Sequence, residues 1–251
     1  MNIAYHKSYS SFLHRDMEYK VYGDRGKPVL VFPTSCGRFY QYEDSGMIGA
    51  LEREINEGRI QVWTCDSIDE ETFYAKHPMI EERMARHQQY DQYVEKELIP
   101  VILERSKESN GGRSDNMIVT GCSMGAFHAA NFFFRHPHDF DGLIALSGLY
   151  STNRFFGDYM SEAVYYHSPL HYLRNLEDEA LLSSYRSSRI VVCTGQGAYE
   201  DLMRSETQKL KQVLEEKRIP ADVEFWGYDV SHDWSWWKKQ IAYYMERLLN
   251  R

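Results

Sequence analysis

A serine stands between two glycines in the stretch MIVTGCSMGAFHAANFF at residues 117–133, where it could act as a nucleophile. The residues before Ser123 are apolar or β-branched, as in a buried strand, and those after Gly125 are typical of a helix. A G-x-S-x-G sequence at a strand-to-helix turn predicts a nucleophile elbow, which lifts the serine hydroxyl out of the sheet. A Cβ at Gly121 or Gly125 would strike the neighbouring strand or helix. The alternative is an ordinary tight turn, and the residues that could assist the serine decide between the two.

A serine nucleophile needs a base, and His232 is the candidate. It lies in the stretch DVSHDW, between the last predicted strand and the last predicted helix. In a fold of this kind the chain order is serine, acid, histidine, and His232 is the only histidine after His171. Its predicted role is to accept the Ser123 proton and return it to the leaving group.

An acid that orients the histidine should follow the strand that ends at Thr194. The loop there reads GQGAYEDLM, and both Glu200 and Asp201 can reach the site. One should face the imidazole, and the other should face water or begin the next helix, where a carboxylate interacts favourably with the helix dipole. The residues alone leave this choice open.

An oxyanion formed by attack on a carbonyl needs two backbone N–H donors. The residue after the nucleophile, Met124, supplies one of them. The second is expected in the loop PTSCGR at residues 33–38, which follows a short buried strand. Pro33 has no N–H, so Thr34 or Ser35 is predicted. The alternative is a plain strand-to-helix turn.

These residues need a scaffold, and the hydrophobic pattern predicts one. Short apolar strands are predicted at residues 29–32, 60–65, 117–120, 143–146, 189–194 and 223–228, with an edge strand at 17–22. Helical spacing is predicted at residues 48–55, 79–105, 126–134, 205–217 and 236–249. Pro100 is expected to kink or restart the second of these helices. Such alternation indicates a mostly parallel sheet with helices on both faces. Ligands bind beyond the carboxyl ends of such strands, where Ser123 falls.

Residues 151–188 break this alternation. The segment is rich in tyrosine, serine and histidine and has no strand signal, so short helices are predicted to cover the carboxyl edge of the sheet as a cap. Tyr165 in this segment either packs the cap or contacts the substrate. Arg38 follows the oxyanion loop and is expected near the mouth of the site, where it would suit an anionic substrate. Residues 1–251 are read as one domain with this cap inserted.

Bulk composition narrows the function classes. The chain has 251 residues, of which 43% are hydrophobic, and a net charge of −8 without a run of Lys and Arg. A nucleic-acid partner is therefore not expected, and no segment approaches the roughly 18 apolar residues of a membrane span. The beginning of the sequence lacks the pattern of a secretory signal, and the four cysteines are widely spaced. These features predict a cytoplasmic protein with reduced thiols and no zinc site.

The chain resembles the esterase-D-like family of α/β hydrolases over nearly its whole length. The motifs that carry the resemblance are ELIP at 97–100, GCSMGA at 121–126, the acidic loop at 195–201 and HDW at 232–234. The resemblance implies an α/β-hydrolase fold, and the stretches at 195–201 and 228–234 resemble those of a small cytosolic bacterial branch. In several relatives the acid stands three residues after a glycine and precedes one variable and two apolar residues, which favours Glu200. The family's usual His-Gly oxyanion loop is replaced here by Phe-Pro-Thr-Ser at 32–35.

The predicted function is that of a serine esterase, which hydrolyses a small or medium acyl ester through an acyl-enzyme. No metal and no organic cofactor are implied, the partner is a small-molecule ester, and the sequence leaves homo-oligomer formation open. Two alternatives remain at this point. An acyltransferase would use the same triad, and a non-catalytic binding protein would keep the fold without the reaction.

Overall fold

The central feature of the fold is one twisted, mostly parallel sheet, seen in a computed structural model that describes residues 1–76, 79–113 and 115–250. Within these residues the strand order is β1-β2-β4-β3-β5-β6-β7-β8. The strands are β1 Ile3–Ser10, β2 Arg15–Tyr22, β3 Lys27–Phe32, β4 Ile60–Cys65, β5 Met117–Cys122, β6 Phe140–Leu146, β7 Arg189–Thr194 and β8 Asp222–Phe225. β2 pairs antiparallel with β1 and β4, and the pairs from β4 through β8 are parallel.

Helices fill the connections between strands. They are α1 Gln41–Asp44, α2 Met47–Ala50, α3 Glu52–Asn56, α4 Ile80–Tyr93, α5 Ile99–Ser109, α6 Met124–Arg135, α7 Asn153–Phe156, α8 Glu162–Tyr165, α9 Pro169–Tyr172, α10 Glu179–Ser187, α11 Asp201–Glu216 and α12 Trp234–Leu249. A short 3-10 turn spans Asp69–Glu71. This arrangement confirms the predicted α/β fold. Because strands β3 to β8 are parallel, their carboxyl ends lie at the same edge of the sheet.

Alternate side chains of the buried strands enter two separate cores. In β3, Leu30 and Phe32 join the core beneath α5, α6 and α11, whereas Val29 and Val31 join the core beneath α2, α3 and α12. Successive side chains of a strand point to opposite faces, so a sheet covered on both sides needs apolar residues at every position. The near-continuous apolar runs of the sequence have this cause.

Two sequence-based predictions of elements, an edge strand and the end of the last strand, were wrong, and a third was right. Residues 17–22 were predicted as an edge strand, but β1 pairs outside them and makes β2 an inner strand. The helix predicted at 79–105 restarts near Pro100, as predicted: it consists of α4, a π-helical turn at Val94–Leu98, and α5. Pro100 stands in the first turn of α5, where its missing N–H is tolerated, and the π turn absorbs the lost hydrogen bond upstream. The predicted last strand ends at Phe225 rather than at residue 228.

Residues 151–188 contain the short helices α7 to α10, between β6 and β7. Phe156 of α7 and Val164 of α8 pack into a third apolar cluster with Met124 and Phe127 of α6. This cluster attaches the segment to the helix that follows Ser123.

Candidate active site

Ser123 occupies the sharp turn between β5 and α6. Its backbone has φ 56° and ψ −120°, a conformation that a non-glycine residue rarely adopts. The Ser123 N–H donates to the Leu146 carbonyl at 2.9 Å, which fixes the turn against the neighbouring strand. The side chain is partly exposed, whereas Cys122 and Met124 on either side are buried. The turn therefore presents the Ser123 hydroxyl above the carboxyl edge of the sheet.

The glycines on either side of Ser123 permit a close approach of backbones. A Cβ on Gly121 would lie 2.3 Å from the Gly125 carbonyl, and one on Gly125 would lie 2.3 Å from the Phe32 carbonyl oxygen. Real Cβ atoms do not approach backbone so closely, so both positions require glycine. The predicted reason for these two glycines is confirmed.

His232 lies beside the serine. Its Nε2 is 2.9 Å from Oγ of Ser123, within hydrogen-bond distance. The His232 N–H donates to the Ala198 carbonyl at 3.0 Å, and Trp237 packs edge-on against the imidazole with a centroid separation of 4.7 Å. Asp233 caps α12 by accepting the Ser235 N–H at 2.7 Å. The loop from β8 and the beginning of α12 thus hold the ring toward Ser123.

Glu200 lies on the far side of the imidazole. Its Oε2 is 3.5 Å from Nδ1 of His232, slightly beyond a direct hydrogen bond; among the described residues no group completes a hydrogen bond to that nitrogen. The carboxylate is buried, and it accepts hydrogen bonds from Oγ of Ser147 at 2.6 Å and Oγ1 of Thr194 at 2.9 Å. Catalytic hydrogen bonds are often long without substrate and tighten when it binds, so Glu200 is placed to accept Nδ1–H.

Asp201 has a different environment. It is the first residue of α11, its side chain is 87% exposed, and its Oδ1 lies 3.1 Å from a guanidinium nitrogen of Arg204. A carboxylate there interacts favourably with the helix dipole. Of the two acids left open by the sequence, the structure brings Glu200, and not Asp201, to His232.

The loop after β3 lies next to the serine because Gly125 packs on Phe32 and Pro33. The Thr34 N–H already donates to Oε1 of Gln41 at 2.9 Å, so it is not available to an oxyanion, and this candidate is corrected. Ser35 remains the candidate for the second backbone N–H donor to the oxyanion. Its hydroxyl forms a hydrogen bond of 2.8 Å with the hydroxyl of Tyr74. The Met124 N–H belongs to the first turn of α6, where helix N–H groups have no partner within the helix.

Buried acids at the end of β4 hold this loop from below. Asp69 accepts the Cys36 N–H at 3.0 Å with Oδ2, and its Oδ1 lies 2.8 Å from Nε2 of the buried His128. Asp66 accepts the Phe39 N–H at 3.0 Å, so it holds the continuation of this loop through a hydrogen bond.

Two predicted substrate contacts lie elsewhere. Arg38 donates through Nε to Asp66 at 2.7 Å and pairs with Glu18, because these acids flank it on neighbouring strands. It lines a separate, mainly acidic cavity that does not include Ser123. Tyr165 accepts a hydrogen bond from Asn175 at 3.1 Å and lines another cavity, beside Tyr166 and Tyr172. Neither residue borders the Ser123 cavity.

Ser123 opens into a cavity of about 380 Å³. Its apolar lining comes from Met124, Leu149, Leu202 and Met203, and its polar lining comes from Tyr74, Arg154, Tyr199 and Asp201. Tyr74, Leu149 and Arg154 carry no sequence signal, because each comes from a segment that only the fold brings to Ser123. The size falls in the range of pockets for small organic ligands.

Cys122 does not compete with the serine. Its side chain is buried in the core beneath α2, α3 and α12, and burial raises the pKa of its thiol well above the ordinary value. A neutral buried thiol is a poor nucleophile, so Cys122 is expected to be inert despite its place beside Ser123.

One set of metal-type ligands occurs within residues 1–76, 79–113 and 115–250. Asp91, Glu95 and His136 place a potential ligand atom each within 4.8 Å of one another. Arg135 already forms an ion pair with both oxygens of Asp91, which opposes the binding of a cation.

No helix in the described part of the chain combines the length and apolar character needed to cross a membrane.

Comparison with known proteins connects this geometry to a family. A family model described as "Putative esterase" matches residues 10–248. Among solved structures, a ferulic acid esterase is similar with a TM-score of 0.77 and 15% identity, covering 99% of this chain and 98% of that chain. An S-formylglutathione hydrolase from Agrobacterium tumefaciens has a TM-score of 0.75 and 13% identity, with coverage of 99% and 95%.

The Staphylococcus aureus fluorophosphonate-binding serine hydrolase F is similar with a TM-score of 0.68 and 15% identity, covering 100% of this chain and 99% of that chain. At these identities the solved structures establish the shared fold. Comparison of the sequence with curated proteins found no match.

Proposed function

Because the chain belongs to this esterase family, whose reaction is the hydrolysis of carboxylic esters, we propose that Ser123, His232 and Glu200 perform that hydrolysis through an acyl-enzyme. The observation that carries the proposal is the separation of 2.9 Å between Oγ of Ser123 and Nε2 of His232 on a strained turn. A nucleophile within hydrogen-bond reach of a base, which a third group orients, is the arrangement that activates a serine.

The first half of the reaction forms the acyl-enzyme. Oγ of Ser123 attacks the ester carbonyl while its proton passes to Nε2 of His232. Glu200 accepts Nδ1–H of the imidazolium and so stabilises its charge. When the tetrahedral intermediate collapses, the bond to the alcohol oxygen breaks, and the alcohol leaves with the proton from His232.

The second half releases the acid. Water gives a proton to His232 and attacks the acyl carbon, after which the bond to Ser123 breaks and the serine regains the proton. In both halves the oxyanion is held by backbone N–H groups of Met124 and, in this proposal, of Ser35. The positive end of the α6 dipole adds to this stabilisation because the helix begins next to the serine.

The cavity supports a small or medium acyl group. A volume of about 380 Å³ is at the lower end of ligand pockets, and its lining combines four apolar side chains with a few polar ones. Two of the similar structures are named as a ferulic acid esterase and an S-formylglutathione hydrolase. Both substrate types are esters or thioesters of small acyl groups, which is consistent with the proposed range.

The test is hydrolysis of p-nitrophenyl acetate, butyrate and octanoate by the native protein, Ser123→Ala and Ser183→Ala. Ser183 is an exposed serine on α10 and does not line the cavity, so it controls for the substitution itself. Ser123→Ala should lower kcat/KM on the order of 10³-fold or more, while Ser183→Ala should leave it unchanged. Equal activity of native protein and Ser123→Ala would refute the proposed nucleophile.

A fluorophosphonate probe supplies an independent measurement. The probe should attach to Ser123 of the native protein, located by mass spectrometry of the peptide, and His232→Ala should strongly slow the labelling. A folded native protein that the probe leaves unlabelled would argue for a binding protein without the reaction.

A further inference from the structure

Arg154 brings a positive charge to the cavity that contains Ser123. It stands on α7, its side chain is exposed, and it lines the cavity together with Ser123. Throughout residues 1–76, 79–113 and 115–250, no carboxylate forms an ion pair with Arg154. Most other arginines of the described chain have an acidic or backbone partner, Arg38 with Asp66 and Glu18 being one example.

The cavity has only one other charged side chain in its described lining, and that charge is compensated. Asp201 pairs with Arg204 at 3.1 Å. The remaining lining residues are Ser123 and neutral apolar or tyrosine side chains. The guanidinium of Arg154 is therefore the uncompensated charge of the site, in a chain whose net charge is −8.

The backbone around Arg154 is held in place. The next residue, Phe155, packs its ring against Phe73 at 5.0 Å and Tyr74 at 5.5 Å between centroids. Tyr74 in turn bonds to Ser35 in the loop beside the serine. The aromatic contacts fix the beginning of the Arg154 side chain relative to the oxyanion loop, while its guanidinium stays free to meet a ligand.

We infer that Arg154 is a specificity-determining residue that binds a carboxylate carried by the ester substrate. This inference rests on the proposed function and names the substrate class as carboxylate-bearing esters. A guanidinium presents two parallel N–H donors that match a carboxylate. A single guanidinium also matches the single charge of a carboxylate better than the near-double charge of a phosphate monoester.

The carboxylate can belong to the acyl part or to the alcohol part, and two pairs of esters distinguish these sources. For the acyl part, mono-p-nitrophenyl adipate is compared with p-nitrophenyl hexanoate, which has the same chain length without the charge. For the alcohol part, 4-acetoxybenzoate is compared with its methyl ester. Each ester is compared between enzymes, so differences in intrinsic reactivity between esters cancel.

The variants are Arg154→Gln, Arg154→Lys and the control Arg174→Gln. Arg174 is an exposed arginine in the same segment that does not line the cavity. Arg154→Gln should lower kcat/KM about tenfold or more for the charged ester of one pair, and should leave the neutral ester within about twofold. Arg154→Lys should retain part of the activity toward the charged ester, because lysine keeps the positive charge but lacks the two parallel N–H donors of a guanidinium. Arg174→Gln should have the same kcat/KM as the native enzyme for every ester.

The inference is overturned if Arg154→Gln changes the charged and the neutral ester of both pairs by the same factor, or changes neither. That result leaves the proposed function intact, because hydrolysis of the neutral esters still depends on Ser123. Failure of the proposed function would give a different result, because Ser123→Ala would then hydrolyse the neutral esters as fast as the native protein does.

Binding of the free acids keeps the inference testable even without turnover. Calorimetric titration of native protein with adipate and with 4-hydroxybenzoate should show binding of at least one acid, weakened about tenfold in Arg154→Gln. Equal affinity of native protein and Arg154→Gln for both acids, or binding of neither by native protein, overturns the inference.

Discussion

Ser147 donates a hydrogen bond of 2.6 Å to Oε1 of Glu200, and both residues are buried. Ser147 has a positive φ of 52° and also accepts a hydrogen bond of 3.0 Å from the indole of Trp237. The end of β6 and helix α12 are thereby joined to the acid that faces His232. With Thr194 bonded to the other oxygen, the carboxylate is fixed by hydrogen bonds from two strands.

Glu200→Gln is expected to lower kcat on the order of 10²-fold or more, judged by losses of the acid in comparable triads. An amide cannot stabilise the imidazolium of His232, although it fills the same space. Asp201→Asn should change kcat by less than about threefold, because Asp201 is exposed and paired with Arg204. Steady-state kinetics with p-nitrophenyl butyrate distinguishes them, and the reverse order would assign the role to Asp201.

Thr194→Val tests whether the hydrogen bond to Glu200 positions the acid. The substitution keeps the shape of the side chain but removes the donor 2.9 Å from Oε2. We expect kcat to fall about tenfold or more, in line with one hydrogen bond to a charged group, with KM unchanged because Thr194 does not line the cavity. Thr194→Ser restores the hydroxyl and should recover kcat; a loss of kcat in Thr194→Ser as large as in Thr194→Val would contradict a positioning role.

The elbow and the sheet were predictable from sequence because their requirements are local. A buried strand needs continuous apolar residues, and a tight strand-to-helix turn needs glycine on both sides of the serine, so both leave marks within a few residues. β1 was not predicted, because most of its side chains are at least partly exposed and its sequence lacks the apolar run of an inner strand. Pairing with β2, rather than burial, makes it a strand.

The cavity lining was less predictable, because it is set by contacts between distant segments. Arg38 was expected at the mouth of the site from its position after the oxyanion loop, but Glu18 and Asp66 on neighbouring strands pair with it. Arg154 has no motif around it, and the packing of the next residue, Phe155, on Phe73 and Tyr74 brings it toward the serine. No local sequence pattern indicates that Arg38 forms ion pairs with carboxylates while Arg154 forms none with a described residue.

Gly125→Ala should destabilise the protein strongly. Its Cβ would lie 2.3 Å from the Phe32 carbonyl oxygen and 2.6 Å from that of Pro33, so α6 must move away from β3. We expect a loss of about 3 kcal/mol in the free energy of unfolding, or a fall in Tm of roughly 6–12 °C. Thermal unfolding followed by circular dichroism measures it.

Gly49→Ala is the matched control for that substitution. Gly49 lies in α2, and a Cβ there would meet no atom within 4 Å. Alanine favours the helix over glycine, so Tm should stay equal or rise slightly. A fall in Tm for Gly49→Ala as large as that for Gly125→Ala would show that the close approach is not the cause.

The cysteines should react with iodoacetamide in an order set by burial. All four are free thiols, and Cys36 alone is partly exposed. Burial raises the pKa of Cys36 to about 11 and those of Cys65 and Cys193 to about 12, and raises that of Cys122 well above its ordinary value. Because the thiolate is the reactive form, alkylation of Cys36 should be slow at pH 7 and accelerate roughly tenfold per pH unit up to about pH 10.

Peptide mass spectrometry of native protein sampled over this pH range gives the rate at each cysteine. The three buried thiols should be modified only after unfolding in denaturant, and Cys36→Ser should remain unmodified under native conditions. Alkylation of Cys36 should also reduce esterase activity, since the modified residue lies next to Ser35 in the oxyanion loop. Rapid native labelling of Cys122 at pH 7, with loss of activity that Cys36→Ser does not prevent, would instead make Cys122 a reactive group of the site.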